Sequence, residues 1–93
     1  MHYYVYLIVS KSKDRSVSYV GYTNNLTKRI TNHNSSKGAK FTRGRKWKLA
    51  YSKRYLSKSV AMREEYKLKK NIKFRNKIKL KFKKNENFNI TPL

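Results

Sequence analysis

The stretch YYVYLIV, residues 3–9, decides the fold of this 93-residue chain. It consists of apolar residues alone, and β-branched and aromatic side chains of this kind are typical of β-strands. Alternate residues of a strand point to opposite faces, so Tyr6 lies on one face and Leu7 on the other. Because both faces are apolar, the pattern predicts a central strand in a sheet that is covered on both sides.

Two further strands are predicted around this one. Residues 10–16 are polar and charged, as in a hairpin loop, and residues 17–22 then form a second strand antiparallel to the first. A third strand is predicted over residues 47–55, with Trp47, Leu49 and Tyr51 on the same face.

A first helix is predicted between the second and third strands. Any of residues 23–25 (Thr, Asn, Asn) can cap it, and it ends near Asn34. At about 100° per residue, one stripe of this helix faces inward. Its members are Leu26, Arg29, Ile30 and His33.

Two helical stretches follow the third strand. Ser57 or Ser59 can cap a helix from Val60 to about Lys70. Its inward stripe consists of Ala61, Glu65, Leu68 and Ile72. Phe74, Ile78 and Phe82 recur every four residues and predict a last helical stretch. We therefore expect one domain over residues 1–83 and a loose polar tail over residues 84–93.

Charge is the strongest compositional signal. Lys and Arg number 25 against four acidic residues, and the formal net charge is +21. Self-repulsion at this charge disfavours a compact state, and a polyanionic partner offsets it. Nucleic acid is the commonest such partner, and an anionic membrane surface is the lesser option.

Several classes of protein are excluded or disfavoured by the composition. The chain has no cysteine, which excludes disulfides and cysteine zinc sites. The apolar run at residues 3–9 is too short to span a bilayer and lacks the features of a signal peptide. We expect a soluble, cytoplasmic protein with no membrane partner.

The acidic residues limit any metal site to a single carboxylate. Asp14 lies in the predicted hairpin loop, Glu86 lies in the tail, and Glu64 and Glu65 point about 100° apart on one helix. Glu65 is the natural ligand because it projects from the inward stripe. The alternative is a Glu65 that is paired with a neighbouring Arg or Lys.

Other inward-facing polar residues are candidates for phosphate and proton chemistry. Arg29 and His33 lie one helical turn apart, and arginine makes bidentate contacts with phosphate that lysine cannot make. The alternative is an ion pair between Arg29 and Glu65. Tyr6 and Tyr19 can aim toward the helices, but a phenol with a pKa of about 10 acts as a base only where cations lower that pKa.

The segment over residues 35–46, which we name the basic loop, is the best candidate for tracking phosphates. Its glycines, Gly38 and Gly44, allow tight turns and close backbone approach. Its basic residues are Lys37, Lys40, Arg43, Arg45 and Lys46. The alternative is a solvated, mobile loop.

Separated segments of the chain resemble the GIY-YIG nuclease superfamily. The first signature triplet is similar to residues 4–6 (YVY), with Tyr6 at its tyrosine, and the second to residues 19–21 (YVG), led by Tyr19. Arg29 follows Tyr19 by ten residues, as the arginine of the family does. Glu65, within AMREEY at residues 61–66, matches the metal-binding glutamate of the family.

The likeness is closer to a small stand-alone bacterial group, the YhbQ-like or UPF0213 proteins. It rests on YVGYT at residues 19–23, on Lys28-Arg29 with His33-Asn34, and on KGAKFTR at residues 37–43. It extends over about residues 3–81. The chain departs from the pattern at Tyr4, where the superfamily has glycine, and at Lys46, where proline is frequent.

This resemblance implies an α+β fold with a three-stranded antiparallel sheet flanked by helices, in agreement with the predicted elements. It implies hydrolysis of a phosphodiester with one Mg²⁺ or Mn²⁺ at Glu65. Tyr6 or Tyr19 would activate or orient the attacking water, and Arg29 would stabilise charge on the phosphate. His33 would relay a proton or hold the phosphate.

The expected partner is nucleic acid, with DNA preferred over RNA, and no small-molecule cofactor is expected. Cutting is expected to be structure-selective or weakly sequence-selective. The residues expected to bind nucleic acid are Lys28, Lys37, Lys40, Arg43 and Arg45. The alternative function is a catalytically silent basic domain that binds DNA or RNA.

Overall fold

The fold is built around the predicted central strand. A computed structural model describes residues 2–11 and 16–90, and for residues 84–90 it describes the backbone alone. The strands are β1 (Tyr3–Lys11), β2 (Ser16–Thr23) and β3 (Lys48–Tyr55), and the helices are α1 (Leu26–Asn34), α2 (Lys58–Lys70) and α3 (Ile72–Ile90). A single 3₁₀ turn, Lys40–Thr42, lies in the basic loop.

The sheet has the strand order β2-β1-β3, and both pairings are antiparallel. The prediction of a three-stranded antiparallel sheet with β1 at its centre and helices around it is confirmed. The predicted hairpin loop begins later than expected, because β1 extends to Lys11. Asp14 lies outside the described residues.

Each face of the sheet has its own apolar cluster. Tyr6 and Ile8 are fully buried with Trp47 on the face that α1 covers, where Leu26 and Ile30 of the predicted inward stripe pack against them. The opposite face is covered by α2 and α3, and its cluster is formed by Val5, Leu7, Val9, Val20, Ala61 and Leu68. The period-2 pattern of residues 3–9 therefore separates the two clusters as predicted.

The face assignment of β3 was wrong. Leu7 pairs with Tyr51 whereas Ile8 pairs with Leu49, so Ala50 is an extra residue and forms a β-bulge. A one-residue shift moves the following side chains to the other face. Trp47 consequently belongs to the α1 face and Tyr51 to the α2–α3 face.

The inward position predicted for Ile72 was also wrong. Helix α2 ends at Lys70, and Asn71 starts a new helix, because its side chain accepts a hydrogen bond from the backbone N–H of Phe74 at 3.1 Å. Ile72 therefore begins α3 and is 61% exposed. Ile78 and Phe82 pack against the sheet as predicted.

The segment predicted to be a loose tail is helical through Ile90. Extending an existing helix fixes one residue for each new hydrogen bond, which costs far less than nucleation, and no glycine or proline interrupts α3. Residues 91–93 and the side chain of Glu86 lie outside the described part, and a domain boundary near residue 83 stays a prediction. None of the helices within residues 2–11 and 16–90 is long and apolar enough to cross a membrane.

Candidate active site

The site is organised around the Tyr6 side chain, which lies across β2. Tyr6 pairs with Gly21, and a Cβ atom placed on Gly21 would clash with the phenol, at 2.6 Å from its Cζ. Glycine is therefore required at this position for close approach. The absence of a side chain at Gly21 lets the buried Tyr6 ring reach α1.

A buried chain of hydrogen bonds starts at the Tyr6 hydroxyl. Tyr6 Oη lies 2.7 Å from His33 Nε2, and His33 Nδ1 lies 2.9 Å from Thr42 Oγ1. Thr42 Oγ1 in turn donates to the carbonyl of Ala39 at 2.7 Å. Tyr6, His33 and Thr42 are all 0% exposed.

The Thr42 hydroxyl fixes the direction of this chain, because a hydroxyl has one hydrogen to donate. That hydrogen goes to Ala39, so Thr42 Oγ1 accepts from His33 Nδ1–H. His33 Nε2 is then the acceptor, and Tyr6 donates to it. Burial, followed by the nearby charge of Arg29, lowers the pKa of His33 and favours this neutral tautomer.

Arg29 completes the surroundings of Tyr6. Its Nε donates to Tyr6 Oη at 3.3 Å, and this bond is the main cause that raises the pKa of Arg29. Arg29 acts on Tyr6 in the direction expected from the sequence, since it lowers the pKa of the phenol. Burial has the larger, opposite effect and raises the pKa of Tyr6 above its ordinary value, so Tyr6 keeps its proton at neutral pH.

Tyr19 differs from Tyr6 in exposure. Tyr19 is partly exposed and packs edge-on against the His33 ring, with centroids 5.2 Å apart. Its hydroxyl is close enough to Arg29 to contribute to raising the pKa of that guanidinium. Among the predicted site residues, Tyr19 is thus the tyrosine that combines solvent access with proximity to Arg29.

Glu65 approaches this group from α2. Its side chain is 18% exposed, and its negative charge is among the causes that raise the pKa of Tyr6. Within the described residues, the ion pair of Glu65 is with Lys69 Nζ at 3.4 Å, one helical turn away, rather than with Arg29. The neighbouring Glu64 pairs instead with Lys67 at 3.3 Å.

The donor set fits a single divalent ion that substrate helps to hold. No group of three or more acidic or histidine side chains that could enclose a metal is found among the described side chains, residues 2–11 and 16–83. Mg²⁺, however, commonly binds through one or two carboxylates together with waters and substrate phosphates. Glu65 is such a carboxylate, and a cation bound there would replace the ammonium group of Lys69.

The basic loop is anchored rather than freely solvated. Trp47 is buried and donates from Nε1 to the carbonyl of Thr42 at 2.9 Å, and the Asn34 side chain donates to the carbonyl of Trp47 at 3.1 Å. Gly38 lies against His33, because a Cβ on Gly38 would be 3.0 Å from His33 Cε1. Gly44 has a φ of 76°, which favours glycine.

The predicted residues therefore fall into two groups. Tyr6, Tyr19, Arg29 and His33 come together on the α1 face, and Glu65 lies within electrostatic reach of Tyr6. The exposed cations around them are Lys28, Lys37, Lys40 and Arg43, whereas Arg45 is partly buried. Sequence reasoning missed the role of Thr42, although Thr42 lies in the KGAKFTR segment that supports the resemblance.

The comparison with protein families supports the resemblance drawn from the sequence. Residues 2–79 match the model of the GIY-YIG catalytic domain. The chain belongs to the GIY-YIG family. This GIY-YIG domain is 46% identical over 79 residues to the UPF0213 protein OB0043 of Oceanobacillus iheyensis, covering 84% of this chain and 87% of the relative. It is 50% identical over 68 residues to the UPF0213 protein CPE1444 of Clostridium perfringens, covering 72% of this chain and 70% of the relative.

One solved structure is also similar to this GIY-YIG domain. The solution NMR structure of the UPF0213 protein BH0048 from Bacillus halodurans is 36% identical, with a TM-score of 0.49 over 100% of this chain and 97% of that chain. The GIY-YIG domain points to the endonuclease superfamily and so to a nucleic-acid substrate.

Proposed function

We propose that this chain is an endonuclease that hydrolyses phosphodiester bonds of DNA with one divalent ion, Mg²⁺ or Mn²⁺. The observation that carries the proposal is the convergence of Arg29 and His33 on the Tyr6 hydroxyl, within reach of the charge of Glu65. An apolar side chain would be sufficient for packing at this position. The buried hydroxyl of Tyr6, its two polar partners and the nearby carboxylate therefore support a role in the site.

Arg29 is proposed to bind the scissile phosphate. Its Nε is held by Tyr6, so the guanidinium has a fixed orientation while remaining partly exposed. Its terminal nitrogens can then donate to phosphate oxygens as negative charge develops on them. Tyr6 and His33 act as positioning residues in this scheme.

Tyr19 is proposed to orient the attacking water and to handle its proton. Tyr6 is fully buried and already donates to His33, so it has no surface from which to contact water. Tyr19 is partly exposed beside Arg29, so its hydroxyl can contact a water next to a phosphate that Arg29 binds. General acid–base catalysis of this kind contributes roughly 10²- to 10⁴-fold.

Glu65 is proposed to hold the divalent ion. Such an ion, when bound, polarises the phosphate and lowers the pKa of water. The side chain of Glu65 is 18% exposed on the inward stripe of α2, and its charge reaches Tyr6, to which Arg29 is hydrogen-bonded. The charge of Glu65 already acts on Tyr6, and this supports a metal position next to the phosphate that Arg29 would bind.

DNA is the proposed substrate because a net charge of +21 favours a polyanion and the exposed cations of the basic loop flank the site. We propose weak sequence selectivity, since these cations suit backbone contacts, which carry no direct sequence information. The second candidate is a catalytically silent domain that binds nucleic acid. The ion pair between Lys69 and Glu65 favours it, because it neutralises the candidate metal ligand.

The decisive experiment compares Glu65→Gln with its neighbour Glu64→Gln. Single-turnover cleavage is measured on labelled single-stranded, duplex, flap and four-way-junction DNA and on RNA, with and without Mg²⁺. We expect Glu65→Gln to abolish metal-dependent cleavage with binding largely retained, and Glu64→Gln to have little effect, because Glu64 is partly buried and pairs with Lys67 and Arg63.

Circular dichroism of both variants checks the fold. Equal losses of activity in the two variants would contradict the role of Glu65. Binding without cleavage by the wild-type protein on every substrate and with both metals would favour the silent domain.

A further inference from the structure

Phe41 is an exposed aromatic residue that packs directly on the candidate active site. It lies in the 3₁₀ turn of the basic loop and is 53% exposed. Its ring stacks on Tyr19 with the centroids 6.2 Å apart and the planes 20° from parallel. The site assigned above gives Phe41 no role.

A cation lies over the same ring. Arg45 Cζ is 5.7 Å from the centroid of Phe41. Because 5.7 Å leaves no room for a base between the two groups, a flat π system stacks on Phe41 only if the Arg45 guanidinium moves outward, where it can stack on the other face of the base. Gly44, next to Arg45, has a positive φ of 76°, which favours glycine in the turn that positions Arg45.

The backbone beneath Phe41 is held in place. Its neighbour Thr42 is buried and hydrogen-bonded to His33, and the Phe41 ring also lies against Trp47, with centroids 6.2 Å apart. A ring in a fixed position loses little conformational freedom when a ligand stacks on it. The large exposed fraction of Phe41 therefore does not result from a poorly held segment.

We propose that Phe41 and Arg45 form a stacking site for an unpaired nucleobase of the substrate strand. This inference rests on the proposed function and names the substrate class: DNA with an unpaired nucleotide next to the scissile phosphate. The base belongs close to that phosphate because Phe41 stacks on Tyr19, whose hydroxyl acts on Arg29. A base within a duplex presents no free face to Phe41, since its neighbours in the helix already stack on it.

The substitutions are chosen to separate stacking from packing. Phe41→Ala removes the ring, Phe41→Leu keeps an apolar side chain without a π face, and Phe41→Trp enlarges the face. Leu56→Ala is the matched control, because Leu56 is 77% exposed and its aliphatic side chain cannot stack on a base. Thermal unfolding of each variant shows whether the fold is retained.

Binding is measured by fluorescence anisotropy in Ca²⁺, which replaces Mg²⁺ to prevent turnover. Three probes of equal length are used: a single-stranded oligothymidylate, an oligonucleotide of abasic nucleotides with the same number of phosphates, and a blunt duplex. We expect Phe41→Ala and Phe41→Leu to bind oligothymidylate about 5- to 150-fold more weakly than wild type. Their affinity for the abasic probe and the duplex stays unchanged, and Phe41→Trp restores the affinity for oligothymidylate.

Equal losses on all three probes, or no loss on oligothymidylate in a folded Phe41→Leu variant, would overturn the stacking site. The outcome is independent of catalysis, since binding is measured without turnover. A wild-type protein that binds the three probes as expected but cleaves no substrate would support the stacking site and contradict the proposed endonuclease activity. Cleavage by a protein whose binding does not depend on Phe41 would support the endonuclease activity and contradict the stacking site.

Discussion

Replacing Tyr6 with phenylalanine tests the buried hydrogen-bond chain most directly. The change removes one oxygen that donates to His33 Nε2 at 2.7 Å and accepts from Arg29 Nε at 3.3 Å. The ring itself still fits over Gly21. His33 Nε2, which is fully buried, is left without a donor.

The expected loss of stability follows from that one unsatisfied atom. A buried acceptor that loses its partner costs about 1–3 kcal/mol. Arg29 adds less, because its guanidinium is partly exposed and can turn to water. For a domain of this size, each kcal/mol lowers Tm by roughly 4–8 °C. A total stability of about 5–14 kcal/mol, from the usual 0.05–0.15 kcal/mol per residue, leaves the variant folded at room temperature.

Urea unfolding provides the assay, followed by circular dichroism and by the fluorescence of Trp47, the single tryptophan, which is buried beside Tyr19. Tyr51→Phe is the control, because Tyr51 lies on the opposite face of the sheet, and we expect it to change stability by less than about 0.5 kcal/mol. A double-mutant cycle with His33→Leu should give a coupling energy of about 0.5–3 kcal/mol between the two sites.

The reasoning is refuted if Tyr6→Phe is as stable as wild type. Strict additivity of the Tyr6→Phe and His33→Leu changes would also refute it. In either case the Tyr6 hydroxyl would not belong to a coupled network.

Two further predictions concern pH and salt. Burial lowers the pKa of His33 in the folded chain, so the unfolded chain binds a proton more readily. The contribution of His33 to the free energy of unfolding is therefore fully present above the unfolded pKa of about 6.5. Below that pH the free energy of unfolding falls, by at most about 1.4 kcal/mol per pH unit. Urea titrations from pH 8 to 5 should show this slope in wild type and in His2→Gln but a flatter one in His33→Gln; equal slopes in all three would contradict it. Neutralising three cations of the basic loop should flatten the slope of log K against log salt by roughly 0.7–0.9 per lost phosphate contact. The loop variant combines Lys37→Ala, Lys40→Ala and Arg43→Ala, and the control on α3 combines Lys73→Ala, Lys77→Ala and Lys81→Ala. If the loop variant keeps the wild-type slope and the α3 control has a flatter one, the phosphate contacts are made by α3 and not by the basic loop.

The predictions from the sequence were accurate where a regular spacing of side chains along one strand or helix determines the structure. Residues 3–9 alternate, and their two faces are the two clusters observed. The inward stripe of α1 was also found, because Arg29 and His33 follow the spacing of the helix. The resemblance to the GIY-YIG superfamily then identified which inward polar residues to consider.

The predictions failed where a single residue interrupts a period. The bulge at Ala50 has no marker in the sequence, such as a glycine or proline, and it puts Trp47 and Tyr51, which were predicted on one face, on opposite faces. Asn71 is also a single residue, and its capping bond to Phe74 made Ile72 the start of a new helix. The role of Thr42 depends on a turn of the backbone and on a contact with α1, and neither follows from spacing along the chain.

The bond from Thr42 to the carbonyl of Ala39 has a consequence beyond local folding. A hydroxyl has one hydrogen, so a turn between two loop residues decides which nitrogen of His33 carries the proton and thereby which way the Tyr6 hydroxyl points. A serine at position 42 could make the same two hydrogen bonds, whereas a valine, which has nearly the same shape as threonine, could not. The direction of the hydrogen bonds from Tyr6 to Thr42 thus depends on a backbone carbonyl of the basic loop rather than on the acid or base strength of any side chain along them.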